Sequence, residues 1–143
     1  MTLVLDSSVV VKWFVQEPGT DQAKALRVSP IAVPDLILPE CLRVFGEKTR
    51  RREFQQGDAI AAVESLKTFG FDVHGSLSLT NLALHYCLLL NLGASECFYL
   101  ALSERLGAPL ITADGGMIEK VRSTSAHRLR VYGLDETATG VLP

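Results

Sequence analysis

The sequence predicts an α/β fold, a three-layer α/β/α sandwich around a central, mainly parallel sheet. Two short β-rich runs, residues 2–5 and 109–112, are mainly apolar rather than alternating, as strands buried on both faces are. Between and around them lie longer stretches of helical periodicity, so strands and helices alternate along the chain, the pattern of crossover-connected parallel strands. A length of 143 residues suits one domain, expected to span 1–143.

Taken in order, Thr2 to Leu5 reads as a buried strand that ends at Asp6. Ser7 or Ser8 can cap the helix that follows, whose apolar face includes Val10, Val11, Trp13 and Phe14. Glu17-Pro18-Gly19 breaks it. Asp21 to Val28 suits a second helix, and Ile31 to Val33 a short strand closed by Pro34. Leu36 to Glu53 reads as a helix with Pro39 in its opening turns, where a missing N–H costs least.

Gln56-Gly57-Asp58 opens a helix through Phe69, and Gly70 ends it. Phe71 to His74 is expected to be a short strand. Leu79 to Leu90 is a strongly apolar helix, expected to be buried on more than one face. A turn at Asn91-Leu92-Gly93 leads into a helix from Ser95 to Leu106, then the buried strand Pro109 to Thr112. Gly115 to Arg122 reads as a short helix and Leu129 to Tyr132 as a last strand. Residues 133–143 are small and polar, expected to form a weakly structured tail.

A hydrophobic fraction of 48% with 21% charged residues excludes a disordered chain. The net charge of −2 supplies no global basic field for nucleic acid, although a bound metal would offset the charge of any site carboxylates. Three cysteines without C-x-x-C spacing suggest reduced thiols and a cytoplasmic protein. The longest apolar runs fall short of the roughly 20 residues a membrane span needs, so no membrane association is expected.

The acids carry the chemistry. In open parallel sheets, ligands bind beyond the carboxyl ends of the strands, near the switch point. Asp6 and Asp114 would both lie there if their strands are neighbours. Glu40 and Glu96, each near the start of a helix, can reach the same place, and helix N-termini favour carboxylates. Clustered carboxylates resist ionisation without a compensating cation. Oxygen ligands of this kind suit Mg²⁺ or Mn²⁺, and the chemistry that follows is hydrolysis of a phosphodiester. Each acid also has a plainer reading: strand end and helix cap for Asp6, turn residue for Asp114, first-turn acid for Glu40, capping box for Glu96. Their joint placement is what favours a site.

The segments LDSSVVVKWF, LPECLRVFGEKTRRREF and SECFYLALSERLGAPLITAD resemble those of PIN-domain ribonucleases, most closely the VapC-type toxins of toxin–antitoxin pairs. The resemblance covers most of the chain. It places the family's acids on Asp6, Glu40, Glu96 and Asp114, with Asp6, Glu96 and Asp114 as metal ligands. Ser7 and Thr112 fall at its hydroxyl positions. Two positions depart from the pattern: Glu96 stands where Asp is usual, and Arg43 where an amide often follows the second acid. The resemblance implies a PIN-like fold, Mg²⁺ or Mn²⁺ dependence and endonucleolytic cleavage of RNA. It also implies a homodimer and inhibition by a cognate antitoxin docking beside the site. A PIN-like module that binds RNA or protein without cutting remains open, as does an RNA-processing nuclease that is not a toxin.

Lys48, Arg50, Arg51 and Arg52 either solvate the end of their helix and complement its dipole or contact RNA phosphates. Arg122, Arg128 and Arg130 either are solvated surface or guide RNA toward the acids. His74, His85 and His127 share no ligand spacing and are expected to be structural or surface residues. Trp13 and Phe14 are expected to pack in the core.

Overall fold

A computed structural model describes residues 1–124 and 128–139. Five parallel strands form one sheet: β1 (Leu3–Leu5), β2 (Ile31–Pro34), β3 (Asp72–His74), β4 (Leu110–Thr112) and β5 (Val131–Gly133), in the order β3-β2-β1-β4-β5. The chain moves outward from β1 in one direction through β2 and β3, then returns to the other side of β1 with β4. That reversal is the switch point, and it lies between β1 and β4.

The helices are α1 (Ser7–Val10), α2 (Thr20–Ala25), α3 (Ile37–Arg50), α4 (Gln56–Thr68), α5 (Ser76–Leu90), α6 (Ala94–Leu106) and α7 (Gly115–Arg122). Successive side chains of a strand point to opposite faces, and Val4, Leu5, Leu110 and Ile111 are all fully buried. Both faces of the sheet are therefore covered, as expected. Helix α6 packs across β1, β2 and β4, α7 packs on β5, and α5 lies along α6. Among the described residues no single helix is long and apolar enough to cross a membrane.

Pro39 occupies the third position of α3, where the N–H has no intrahelical acceptor to lose. Trp13 sits in a short 3₁₀ turn (Val11–Trp13) after α1 and donates its indole N–H to Ala23 O at 2.8 Å. Its ring stacks on Phe71, and Phe14 meets Phe45 edge-on, so both aromatics pack inward as expected. Lys12 ties down the loop before α2 by donating to Glu17 and to Pro18 O.

Three expectations need correction. The second helix is regular only over Thr20–Ala25 and tightens to 3₁₀ geometry over Leu26–Val28. Helix α5 buries Leu79, Ala83, Tyr86 and Leu90 on one face only, against α6. Leu77, Leu84 and Leu88, on the opposite stripe, are 93%, 56% and 78% exposed. The segment after β5 is more ordered than expected. Leu134–Thr139 forms a 3₁₀ helix, anchored by buried Leu134 and by Gly133 N–H donating to Glu136. Residues 140–143 of the expected tail, and His127, lie outside the described residues.

Candidate active site

Asp6 is the first residue past β1, and its backbone N–H still donates to Ile111 O of β4, at 3.0 Å. The strands pair Val4 with Leu110 and Leu5 with Ile111, so the next step of the register sets Asp6 against Thr112. The Thr112 hydroxyl, fully buried, donates to Asp6 Oδ2 at 2.8 Å, and Ser8 Oγ donates to the same oxygen at 2.6 Å. Neither hydroxyl is free to turn around. Asp114 N–H donates to Thr112 Oγ1 at 3.0 Å and Ala113 N–H to Ser8 Oγ at 3.1 Å, which leaves both hydroxyl protons for the carboxylate.

Ser7, singled out in the sequence, supplies its backbone N–H to Asp6 rather than its hydroxyl. The hydroxyl that reaches the acid belongs to Ser8. The D-x-S spacing could have pointed to it, since a side chain two residues past a strand end turns back over that end.

Asp114 caps α7. Its Oδ1 accepts from Gly116 N–H at 3.0 Å and Met117 N–H at 3.2 Å, leaving Oδ2 free of both. Glu96 lies in the first turn of α6, and its Oε2 accepts from Gly93 N–H at 3.3 Å. The Glu96 half of a capping box is thus realised, Gly93 having no side chain to supply the other half, and its carboxyl also comes within hydrogen-bonding reach of Asp114. Glu40, in the first turn of α3, accepts from the Tyr99 hydroxyl at 2.6 Å.

The charges of these acids act on one another. Burial pushes the Asp6 carboxyl above its usual range; the hydroxyls of Ser8 and Thr112 oppose this, and the charge of Asp114 adds to it. Burial also raises Glu40, opposed by the Tyr99 hydroxyl and the charge of Arg43 and reinforced by the charges of Asp6 and Glu96. Glu96 is raised by burial and then by Asp114 and Asp6. Among the described residues, none of the four acids forms an ion pair with Lys, Arg or His. The donor set is therefore carboxylate oxygen throughout, without a salt bridge and partly desolvated, which fits a hard divalent cation. In this arrangement, no three of the described His, Cys, Asp or Glu residues close around a single point.

The basic run does not join the cluster. Arg50 lies ten residues beyond Glu40 on α3, about 15 Å along the helix axis. Lys48 is engaged by Glu17 at 3.8 Å and Glu53 at 3.6 Å, while Arg50, Arg51 and Arg52 are exposed. Arg122 is held by Glu136, at 2.7 Å, and by Val131 O, and Arg130 by Gly107 O. A groove of about 990 Å³ borders the cluster at Thr112 and Ala113 and runs between Lys12 and Gln22 on one side and α7 on the other. None of the four acids lines it.

Thr112→Val keeps the shape of the side chain but removes one of the two hydroxyl donors to Asp6 Oδ2 and leaves the Asp114 N–H without its acceptor. The expected loss is about 1–3 kcal/mol of stability, read as a lower urea midpoint, whereas Thr112→Ser should lose much less.

Fold and site together define a class: a parallel α/β domain whose acids gather at the switch point of the sheet. The family model for the PIN domain matches residues 3–122, and the chain belongs to that family. PIN domains are nucleases and generally depend on a divalent metal. No curated protein sequence matches the chain significantly. Among solved structures, PAE2754 from Pyrobaculum aerophilum is 17% identical with a TM-score of 0.69, over 97% of this chain and 90% of that one. VapBC2 from Rickettsia felis, bound to a DNA fragment from its promoter, is 12% identical with a TM-score of 0.67, over 93% and 98%. A toxin–antitoxin complex from Klebsiella pneumoniae is 15% identical with a TM-score of 0.52, over 78% and 86%. At these identities the likeness shows the fold.

Proposed function

We propose that this PIN domain is a Mg²⁺- or Mn²⁺-dependent endoribonuclease and the toxin of a toxin–antitoxin pair. The observation that carries the proposal is the mutual charge effect among Asp6, Glu40, Glu96 and Asp114 at the carboxyl end of the sheet, with no salt bridge to any of them among the described residues. Asp6, Glu96 and Asp114 would hold the cation. When bound, it supplies Lewis-acid chemistry, activating water and offsetting charge on phosphate oxygens.

The chain's own groups do the rest. Ser8 and Thr112 fix Asp6 through Oδ2, and the opening amides of α7 fix Asp114 through Oδ1. Glu40 takes the proton of the attacking water on Oε2, the oxygen not held by Tyr99. Arg50, Arg51 and Arg52 meet RNA phosphates at a distance from the scissile bond.

The toxin assignment draws support from the Rickettsia felis and Klebsiella pneumoniae structures, both solved as toxin–antitoxin assemblies. A cognate antitoxin is the partner this implies. A homodimer is supported by the stripe of Leu77, Leu84 and Leu88, because a charge-free helix face can meet its own copy without repulsion. The mass of the purified chain by light scattering tests it. The three free cysteines accord with a reducing, cytoplasmic setting.

Incubation of total RNA with the purified chain tests the central claim. Cleavage is expected with Mg²⁺ or Mn²⁺ and none with chelator; equal cleavage in both, or none in either, would overturn it. A second reading, a PIN module that binds without cutting, is favoured by the engagement of Glu96 with Gly93 N–H and by the open spacing of the acids. RNA retained without cleavage in the same experiment would select it. Expression in a bacterial host separates a toxin, which arrests growth, from a processing nuclease, which does not.

A further inference from the structure

Tyr99 is the only side chain among the described residues that hydrogen-bonds to the carboxylate of Glu40. It is fully buried on α6, three residues past Glu96, so one helix face presents an acid and, a turn later, a phenol. The direction of the bond is fixed, since an ionised carboxylate only accepts. Burial and the adjoining charges of Glu40 and Asp6 push the phenol above its ordinary range and keep it a donor. At 2.6 Å the contact has the length of a charge-assisted O–H···O⁻ bond.

We propose that Tyr99 is a positioning residue of the carboxylate cluster, bracing Glu40 of α3 against the acids delivered by β1, α6 and β4. The proposal rests on reading that cluster as the cation-binding nuclease centre. Without the phenol, the half-buried Glu40 carboxylate has no side-chain donor among the described residues, and the anchor between α3 and α6 at the site is lost. Glu40 is not one of the proposed ligands, but its charge acts on Asp6 and Glu96 and adds to the field that would hold the cation; outer partners that orient such groups are typically worth about 10- to 100-fold in metal affinity or activity. A tyrosine serving only as packing would contribute its ring and not its hydroxyl.

The test is a double-mutant cycle on the full chain with Tyr99→Phe and Glu40→Ala. Mn²⁺ binding is measured by calorimetry, and RNA cleavage is resolved into kcat and KM. Tyr99→Phe is expected to weaken Mn²⁺ binding about 10-fold and to lower kcat similarly, with KM for RNA unchanged. In the Glu40→Ala background, the same substitution should change neither quantity. Equal losses in both backgrounds, or an unchanged Mn²⁺ affinity for Tyr99→Phe alone, would overturn the proposal.

Should Tyr99→Phe alone fail to fold, the double variant, which leaves no orphaned carboxylate, is compared with Glu40→Ala. Identical Mn²⁺ affinity supports the proposal, and a further loss overturns it. Mn²⁺ binding that depends on Tyr99, with no RNA cleavage by the wild-type chain, would sink the nuclease reading and leave the positioning role standing. Absence of Mn²⁺ binding by the wild-type chain would sink both.

Discussion

Asp6→Asn and Asp114→Asn are each expected to reduce cation-dependent RNA cleavage by about 10²- to 10³-fold while leaving the fold intact. A metal-ion centre contributes several kcal/mol of transition-state stabilisation, and each 1.36 kcal/mol is about tenfold in rate. The two substitutions preserve shape. At position 6, the amide oxygen can take over the bonds from Ser8 and Thr112, whose protons are committed in that direction. At position 114, it can keep accepting from Gly116 and Met117. What each variant loses is the negative charge. Circular dichroism checks the fold and a cleavage time course checks the rate; undiminished cleavage by either variant would defeat the proposed centre.

The same charges make the cation-free protein pH-sensitive, in a direction that the burial fixes. Asp6, Glu40 and Glu96 have folded-state values raised above those of the unfolded chain, chiefly by desolvation. Their stabilising contribution is fully present below the usual carboxylate range and is lost as pH rises through the raised values. In chelator, Asp6→Asn is therefore expected to be more stable than wild type near neutrality, by about 0.5–2 kcal/mol. The gap should close as pH falls to about 4, near the ordinary carboxylate value. Mn²⁺ should raise the wild-type Tm most at the upper end of the range, where the cluster is ionised, and should raise that of Asp6→Asn far less. Thermal melts across pH, with and without Mn²⁺, provide the check. A gap between the two proteins that does not vary with pH would contradict the account.

Strands β1 and β4 were legible because a short run buried on both faces leaves an unbroken apolar signature, and each ends on an acid. The helix-start acids were legible too, since Pro39 and Gly93 mark where those helices begin. The choice between Ser7 and Ser8 was not. It depends on how the chain turns after Asp6, and both serines look alike as caps. Tyr99 was hidden for another reason. An aromatic in an apolar helix reads as core, and its partner Glu40 lies 59 residues away in sequence. Helix α5 was misjudged because hydropathy reports that a face is apolar and says nothing of what covers it. The order of Leu134–Thr139 depends on the seating of Leu134 beside Gly19 and on the Gly133–Glu136 bond, contacts invisible in a small, polar segment.

The strand order carries one more consequence, which concerns timing during synthesis. Asp6 emerges first from the ribosome, yet its carboxylate is held by Thr112, 106 residues later, and β1 gains its β4 neighbour only then. Pairings this distant in sequence close late. A nascent chain that has not reached residue 112 lacks the fourth acid and one of the two hydroxyls that orient the first. On the proposed reading, the destructive centre is assembled last, so an incomplete polypeptide cannot attack the RNA of the machinery still making it.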